Sequence, residues 1–204
     1  MKIADLTRAL CFLLVAIFIS SCAAPDSQHQ ILVSVRDQKL ALLEQGTLLA
    51  TYPVSTSKFC VGDRCGSYGT PLGRFAVAQK IGDGAPIGAV FKDRRRTGEI
   101  VAANSPGRDP IVTRIIWLRG LEPQNANAYR RMIYIHGTPE ERNIGHPASY
   151  GCIRMCSRDI VHLYDLVGQG AQVTIVDAPL TSVVPEFSAP GPPFGSNHPG
   201  LVGR

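Results

Sequence analysis

The chain has 204 residues, 45% of them hydrophobic and 18% charged, with a formal net charge of +5 at pH 7. A chain of that length buries one good core, so a single domain with tails is expected. The positive excess is mild: it suits an anionic polymer, but no RNA- or DNA-binding signature accompanies it, and nucleic acid is excluded as the expected partner.

Lys2 and Arg8 precede an apolar run from Ala9 to Ser20 that is too short to span a bilayer and is laid out like a secretory leader. Ile19, Ser20, Ser21 and Cys22 resemble a bacterial lipobox, so residues 1–21 are expected to be removed and Cys22 lipidated. By the same resemblance Ala23 favours the outer over the inner membrane, with the chain facing the periplasm. Residues 22–30 then read as a lipidated tether. Export also opens the thiols to oxidation. Cys11 leaves with the leader, and Cys60, Cys65, Cys152 and Cys156 remain beyond Cys22. The spacing of Cys60 and Cys65 in KFCVGDRCGSYG suits a local disulfide that stiffens its loop.

ILVSVRDQKLALLEQGTLLATYPVST holds three apolar or alternating runs broken at Asp37-Gln38 and Gln45-Gly46, the pattern of a β-meander. A Gly-dense segment follows and ends in a strand, RFAVAQ. Residues 81–107 read as loop-rich, with Arg94, Arg95 and Arg96 either on a solvated face or against an anionic substrate. TRIIWLRG and RMIYIHG are further strands, the second with Met132, Tyr134 and His136 on one face and Ile133 and Ile135 on the other. SRDIVHLYDLVGQG is the one convincing helix, with Ser157 as expected N-cap, Asp159 in the first turn, and Ile160, Leu163, Tyr164 and Val167 on one apolar face. The strand AQVTIV closes the domain. From Pro179 the chain is Pro-, Gly- and Ser-rich, with too few apolar residues to fold alone.

ASYGCIRMC is the stretch richest in chemistry. Cys152 acts as a nucleophile if its thiolate is favoured and a base is in reach. The best base is His136, which ends a strand and precedes Gly137. Backbone N–H groups of Tyr150, Gly151 and Cys152 converge as oxyanion donors if Gly151 permits a tight turn. Other readings stay open on spacing alone: a small buried thiol, a strained Cys152–Cys156 pair, or a zinc site drawn from His136, His146, Cys152, Cys156 and His162, which lacks a C-x-x-C or H-E-x-x-H unit.

IHGTPEERNIGHPASYGCIRMCSRDIVHLYDLVGQGAQVTI resembles the signature of the L,D-transpeptidase catalytic domain, the YkuD-like domain: H-G, a spacer, S-H-G-C, an apolar residue, Arg or Asn, then a helix and a strand. The upstream GTPLGRF is similar to the family's T-P-x-G-x-F segment. The resemblance implies a mostly β fold with one or two helices, a β-sandwich or partly open barrel. Residues 31–178 would form the catalytic domain, and 179–204 a Pro/Gly-rich flexible tail. It implies a peptidoglycan L,D-transpeptidase in which Cys152 attacks the L-centre carbonyl of a tetrapeptide stem and forms a thioester. An amine of a second stem peptide, a lysine of an acceptor protein, or water then resolves it.

His136 becomes the general base, the Gly137 carbonyl orients its ring, Tyr150 and Gly151 supply backbone to the oxyanion site, and Ser149 and Arg154 contact substrate. No metal or organic cofactor is implied. One position departs from the pattern, Tyr150 standing where the family has histidine. That departure is the main support for the alternative expectation, a non-catalytic peptidoglycan-binding lipoprotein that ties membrane to wall.

Overall fold

The computed structural model describes residues 24–183, and the leader, Cys22 and the tail beyond residue 183 lie outside the described residues. The expected meander is present as β1 (His29–Ser34), β2 (Lys39–Glu44) and β3 (Thr47–Pro53). Its turns fall at Gln38 and at Gln45–Gly46, all three with positive φ. There follow β4 (Gly73–Ile81), β5 (Ala89–Lys92), β6 (Arg95–Ile100), β7 (Ile111–Gly120), β8 (Tyr134–Gly137), β9 (Ile153–Met155), α1 (Ser157–Leu166) and β10 (Gln172–Val176). The order β3-β2-β1-β10-β4-β7-β5-β6 makes one sheet, from which β8 branches off β7 and carries β9. The fold is therefore mostly β with one α-helix and three short 3-10 turns among the described residues.

Alternation along β7 and β8 gives the molecule two apolar layers. Ile116 and Leu118 of β7, with Ile133 and Ile135 at β8, face the main core, where they meet Ile160, Leu163, Tyr164 and Val167 of α1. Ile115, Trp117 and Tyr134 face the other way and form a second cluster with Phe91. β7 and β8 are thus buried on both faces, and the second face carries the residues singled out above.

Four expectations need correction. Residues 81–107 are not simply loop but contain the hairpin β5–β6, because Val90 and Phe91 pair with Val112 and Ile111 of β7. β6 was illegible as a strand because all six of its residues, RRTGEI, are exposed. Cys156, not Ser157, occupies the N-cap of α1, and the Ser157 N–H is satisfied from outside the helix, by Glu141 Oε1 at 2.7 Å. The buried Ser157 hydroxyl lies 2.9 Å from Thr113 Oγ1. The domain also extends past both expected limits. Asp26 is tied to the turn after α1 on one side, and Leu180 is 1% exposed against Ala41 and Leu43 on the other.

Candidate active site

The S-Y-G-C turn is held by its own serine. Ser149 Oγ donates to the Cys152 carbonyl at 2.6 Å and accepts the Gly151 N–H at 3.1 Å. Gly151 has φ +118, and a Cβ there would lie 3.0 Å from the Gly69 carbonyl oxygen, so glycine is required. Thr70, the threonine of GTPLGRF, donates from Oγ1 to the Gly151 carbonyl at 3.1 Å and accepts the Ser57 N–H at 2.9 Å. The two motifs are therefore one piece of structure: the upstream segment braces the turn that carries the thiol. The Gly151 N–H, expected as an oxyanion donor, is already used by Ser149. Among the described residues the Tyr150 and Cys152 amides donate to no protein acceptor.

β8 and β9 pair in parallel with Ile135 opposite Ile153 and His136 opposite Arg154. That register sets Cys152 opposite Tyr134 and puts Cys152, Arg154, Tyr134 and His136 on one face, with the Cys152 and His136 backbones about 8 Å apart from strand spacing and rise. His136 is 5% exposed, and its Nδ1 donates to the Gly137 carbonyl at 2.9 Å, which leaves Nε2 as the basic nitrogen. Gly137 has no room for a side chain, since a Cβ would meet the Val112 carbonyl oxygen at 2.6 Å and Ile160 Cγ2 at 3.2 Å. The thiol does not hydrogen-bond to the imidazole. Cys152 Sγ donates to the Met132 carbonyl and accepts the Tyr134 N–H, both at 3.4 Å.

Burial holds the His136 imidazole down to about 4, with Arg154 pressing the same way against the Gly137 carbonyl and Asp109. Burial likewise pushes the Cys152 thiol up, opposed by the Tyr134 amide and the positive charges of Arg154 and Arg131. Both shifts favour the uncharged forms at rest, a thiol and a neutral imidazole, so the condition of a favoured thiolate is not met by the resting environment. Arg154 is fixed by Asp109 Oδ2 at 2.7 Å, and Asp109 Oδ1 accepts the Thr138 hydroxyl at 2.6 Å. Asp109 was missed in the sequence, where an isolated aspartate before a proline gives no signal beyond a turn.

Two cavities meet at Cys152. One, of about 300 Å³, includes Arg94, Met132 and Tyr134 in its wall; the other, of about 200 Å³, includes Tyr68, Ile133 and Tyr150. Arg131 lines both, and is held by Asp63 Oδ1 at 2.9 Å and by the Gly62 and Gly69 carbonyls. The Tyr150 ring turns outward into an exposed cluster with Phe59 and Tyr68, centroids 5.3 and 5.7 Å away, and Lys58 Nζ lies 4.6 Å from its centre. A larger cavity, about 650 Å³, lies elsewhere, against Ala24, Pro25 and the Gly168–Gly170 turn.

Cys60 and Cys65 are both exposed, and in this structure their thiols are unpaired. Cys60 Sγ sits 3.6 Å from the Ser67 carbonyl and Cys65 Sγ 3.2 Å from Arg130 Nη2, while the Arg131–Asp63 pair fixes the loop instead. Cys152 and Cys156 are likewise unpaired. The zinc reading fails on placement: no group of three or more potential ligands occurs among the described residues, His146 is exposed, and His162 Nδ1 is engaged by the Tyr52 hydroxyl at 2.7 Å.

A thiol, a buried imidazole with a free Nε2, two unengaged amides and a braced turn make up a site able to perform acyl transfer through sulfur. Residues 28–175 match the model of the YkuD L,D-transpeptidase catalytic domain, and the chain belongs to that family. It is 28% identical over 162 residues to the YkuD protein of Bacillus licheniformis, covering 78% of this chain and 73% of that one. It is 29% identical over 147 residues to the YqjB protein of Bacillus subtilis, covering 72% and 70%. Both carry the L,D-transpeptidase designation. Among solved structures, an L,D-transpeptidase from Mycobacterium smegmatis aligns with a TM-score of 0.47 at 16% identity, over 73% of this chain and 58% of that one. One from Xylanimonas cellulosilytica aligns with a TM-score of 0.47 at 18% identity, over 81% and 68%. The chain thus spans under two thirds of the mycobacterial structure.

Proposed function

We propose that this chain is a peptidoglycan L,D-transpeptidase working through a thioester on Cys152. The observation that carries the reading is the position of Cys152 where two cavities meet, on the same sheet face as His136 and Arg154. The Cys152 thiol turns from the Met132 carbonyl and passes its proton to His136 Nε2. Its sulfur then adds to the carbonyl of the L-centre that bears the terminal D-Ala of a tetrapeptide stem.

The oxyanion is received by the Cys152 and Tyr150 amides, and the imidazolium, still bonded to the Gly137 carbonyl, gives its proton to the departing amine. An amine of a second stem peptide, a lysine of an acceptor protein or water resolves the thioester. Since Tyr150 presents its ring outward, its backbone serves the site and its phenol does not stand in for a cation. Ser149 acts by shaping the turn, and Arg154 lies beside the imidazole to meet substrate. We further propose that Cys22 carries lipid and holds the domain on the periplasmic side, at the outer membrane.

Incubation of the chain from Ala23 onward with a disaccharide-tetrapeptide, read by mass spectrometry, tests this. A cross-linked dimer lacking D-Ala, or a tripeptide from hydrolysis, is expected. Cys152→Ala and His136→Ala should give neither, and Tyr150→Phe should only slow the reaction. The second reading, a wall-binding lipoprotein without turnover, is favoured by the absent thiol–imidazole hydrogen bond. It prevails if the folded wild type binds the muropeptide and forms no product.

A further inference from the structure

The turn between β5 and β6 holds Arg94 in a conformation that a long side chain resists. Lys92 pairs with Arg95, so Asp93 and Arg94 are the two central residues of a tight hairpin, with φ of 49 and 65. Two-residue turns with both φ positive favour Asn-Gly, Asp-Gly or Gly-Gly, so Asp93 suits its position while the long side chain of Arg94 at the second stores strain. Such strain persists where the surroundings or a function hold it. Here it directs Arg94 into the 300 Å³ cavity that ends at Cys152.

The contacts of that guanidinium are all neutral. Its Cζ lies 4.9 Å from the centre of the Trp117 ring and its Nη1 lies 3.4 Å from Met132 Sδ, with Tyr134 in the same cavity wall. The two arginines whose charges bear on the thiol, Arg131 and Arg154, are each paired with an aspartate. Among the described residues no carboxylate forms an ion pair with Arg94. Asp93 lines the same cavity, so long-range attraction for an anion is partly cancelled, and recognition rests on a carboxylate seated directly on the guanidinium. A planar cation 4.9 Å from an indole centre and lining a cavity suits two parallel bonds to one carboxylate.

We propose that Arg94 is the carboxylate anchor of this cavity, binding the free C-terminal carboxylate of the residue that leaves when Cys152 attacks the carbonyl before it. This rests on the thioester reading above and deepens it: the enzyme takes chain-terminal bonds and rejects internal ones, because only a terminal residue brings a carboxylate to that position.

The test uses Cys152→Ala, which cannot turn over, titrated by calorimetry with a disaccharide-tetrapeptide ending in a free carboxylate and with its C-terminal amide. The acid should bind about tenfold or more tighter than the amide, the usual size of a charge-assisted pair. Adding Arg94→Gln should weaken the acid by about tenfold and the amide by less than about twofold, and Arg94→Lys should restore part of the difference. Equal binding of acid and amide with Arg94 present overturns the proposal, as does equal weakening of both by Arg94→Gln. Wild-type thioester formation, followed separately by intact mass, reports on the thioester reading: its absence with acid selectivity intact removes the chemistry and leaves the anchor.

Discussion

His136 is the residue whose environment makes the sharpest quantitative demand. Its ring is buried and neutral, with its pKa lowered from 6.5 to about 4 by burial first of all. A group with a depressed folded pKa contributes its full stability above the unfolded value and loses it as pH falls toward the folded one. The folded protein should therefore lose about 3 kcal/mol between roughly pH 6.5 and 4 through this residue alone. Urea denaturation across that window should show the loss in the wild type, with a slope about one proton steeper than in His136→Gln. Equal slopes would mean that the imidazole is solvated. The same burial raises the Cys152 thiol, so its alkylation should be slow at neutral pH and should speed up as the medium becomes more basic.

At the scale of elements, Gly137 shows how strand, bulge and helix converge on the site. The β7–β8 register slips between Val112 and Ile115, and Thr113 at the slip takes φ 71, which brings the Val112 carbonyl against Gly137 while α1 closes from the far side through Ile160. Gly137→Ala has to push these apart. A loss of about 1–3 kcal/mol is expected from overpacking, with turnover falling further because the carbonyl that orients His136 moves with β8.

A calorimetric melt beside a turnover assay checks both effects, and a variant with an unchanged melt would show that the glycine is not a packing requirement. The sequence disclosed that Gly137 matters but not why, since the atoms that crowd it come from 25 residues upstream and 23 downstream in the chain. The meander, α1 and the faces of β8 were readable because periodicity is local. Arg94 was legible only as one of three consecutive arginines with two readings open, and Asp109 not at all, because pairing to β7 and the partnership with Arg154 bring them to the site.

For the whole molecule, the two ends of the domain meet on one seam. β1 and β10, the first and last strands, are parallel neighbours, and Asp26 closes the seam from outside. Its Oδ1 accepts the Gln28 and His29 amides, and its Oδ2 accepts the Gly168 amide at 2.6 Å and lies 2.9 Å from His29 Nδ1. Burial alone would raise this carboxyl, but the amides of Gly168, His29 and Gln28 outweigh it and leave its pKa below the ordinary value. Within the segment read as a tether, Asp26 therefore acts as a clasp. It fixes where the chain leaves the domain, on the turn after α1 beside the 650 Å³ cavity.

Removing the acceptor orphans three amides, one of them across the seam. Asp26→Ala should therefore lower stability by about 2 kcal/mol, or about 4–8 °C in Tm for a domain of this size. The loss should be present at neutral pH and should shrink in acid, where protonation of Asp26 weakens the clasp in the wild type as well. A chain begun at Gln30 should melt at least as low as Asp26→Ala. A melting temperature equal to that of the chain begun at Ala23 would return residues 24–29 to the role of a passive linker.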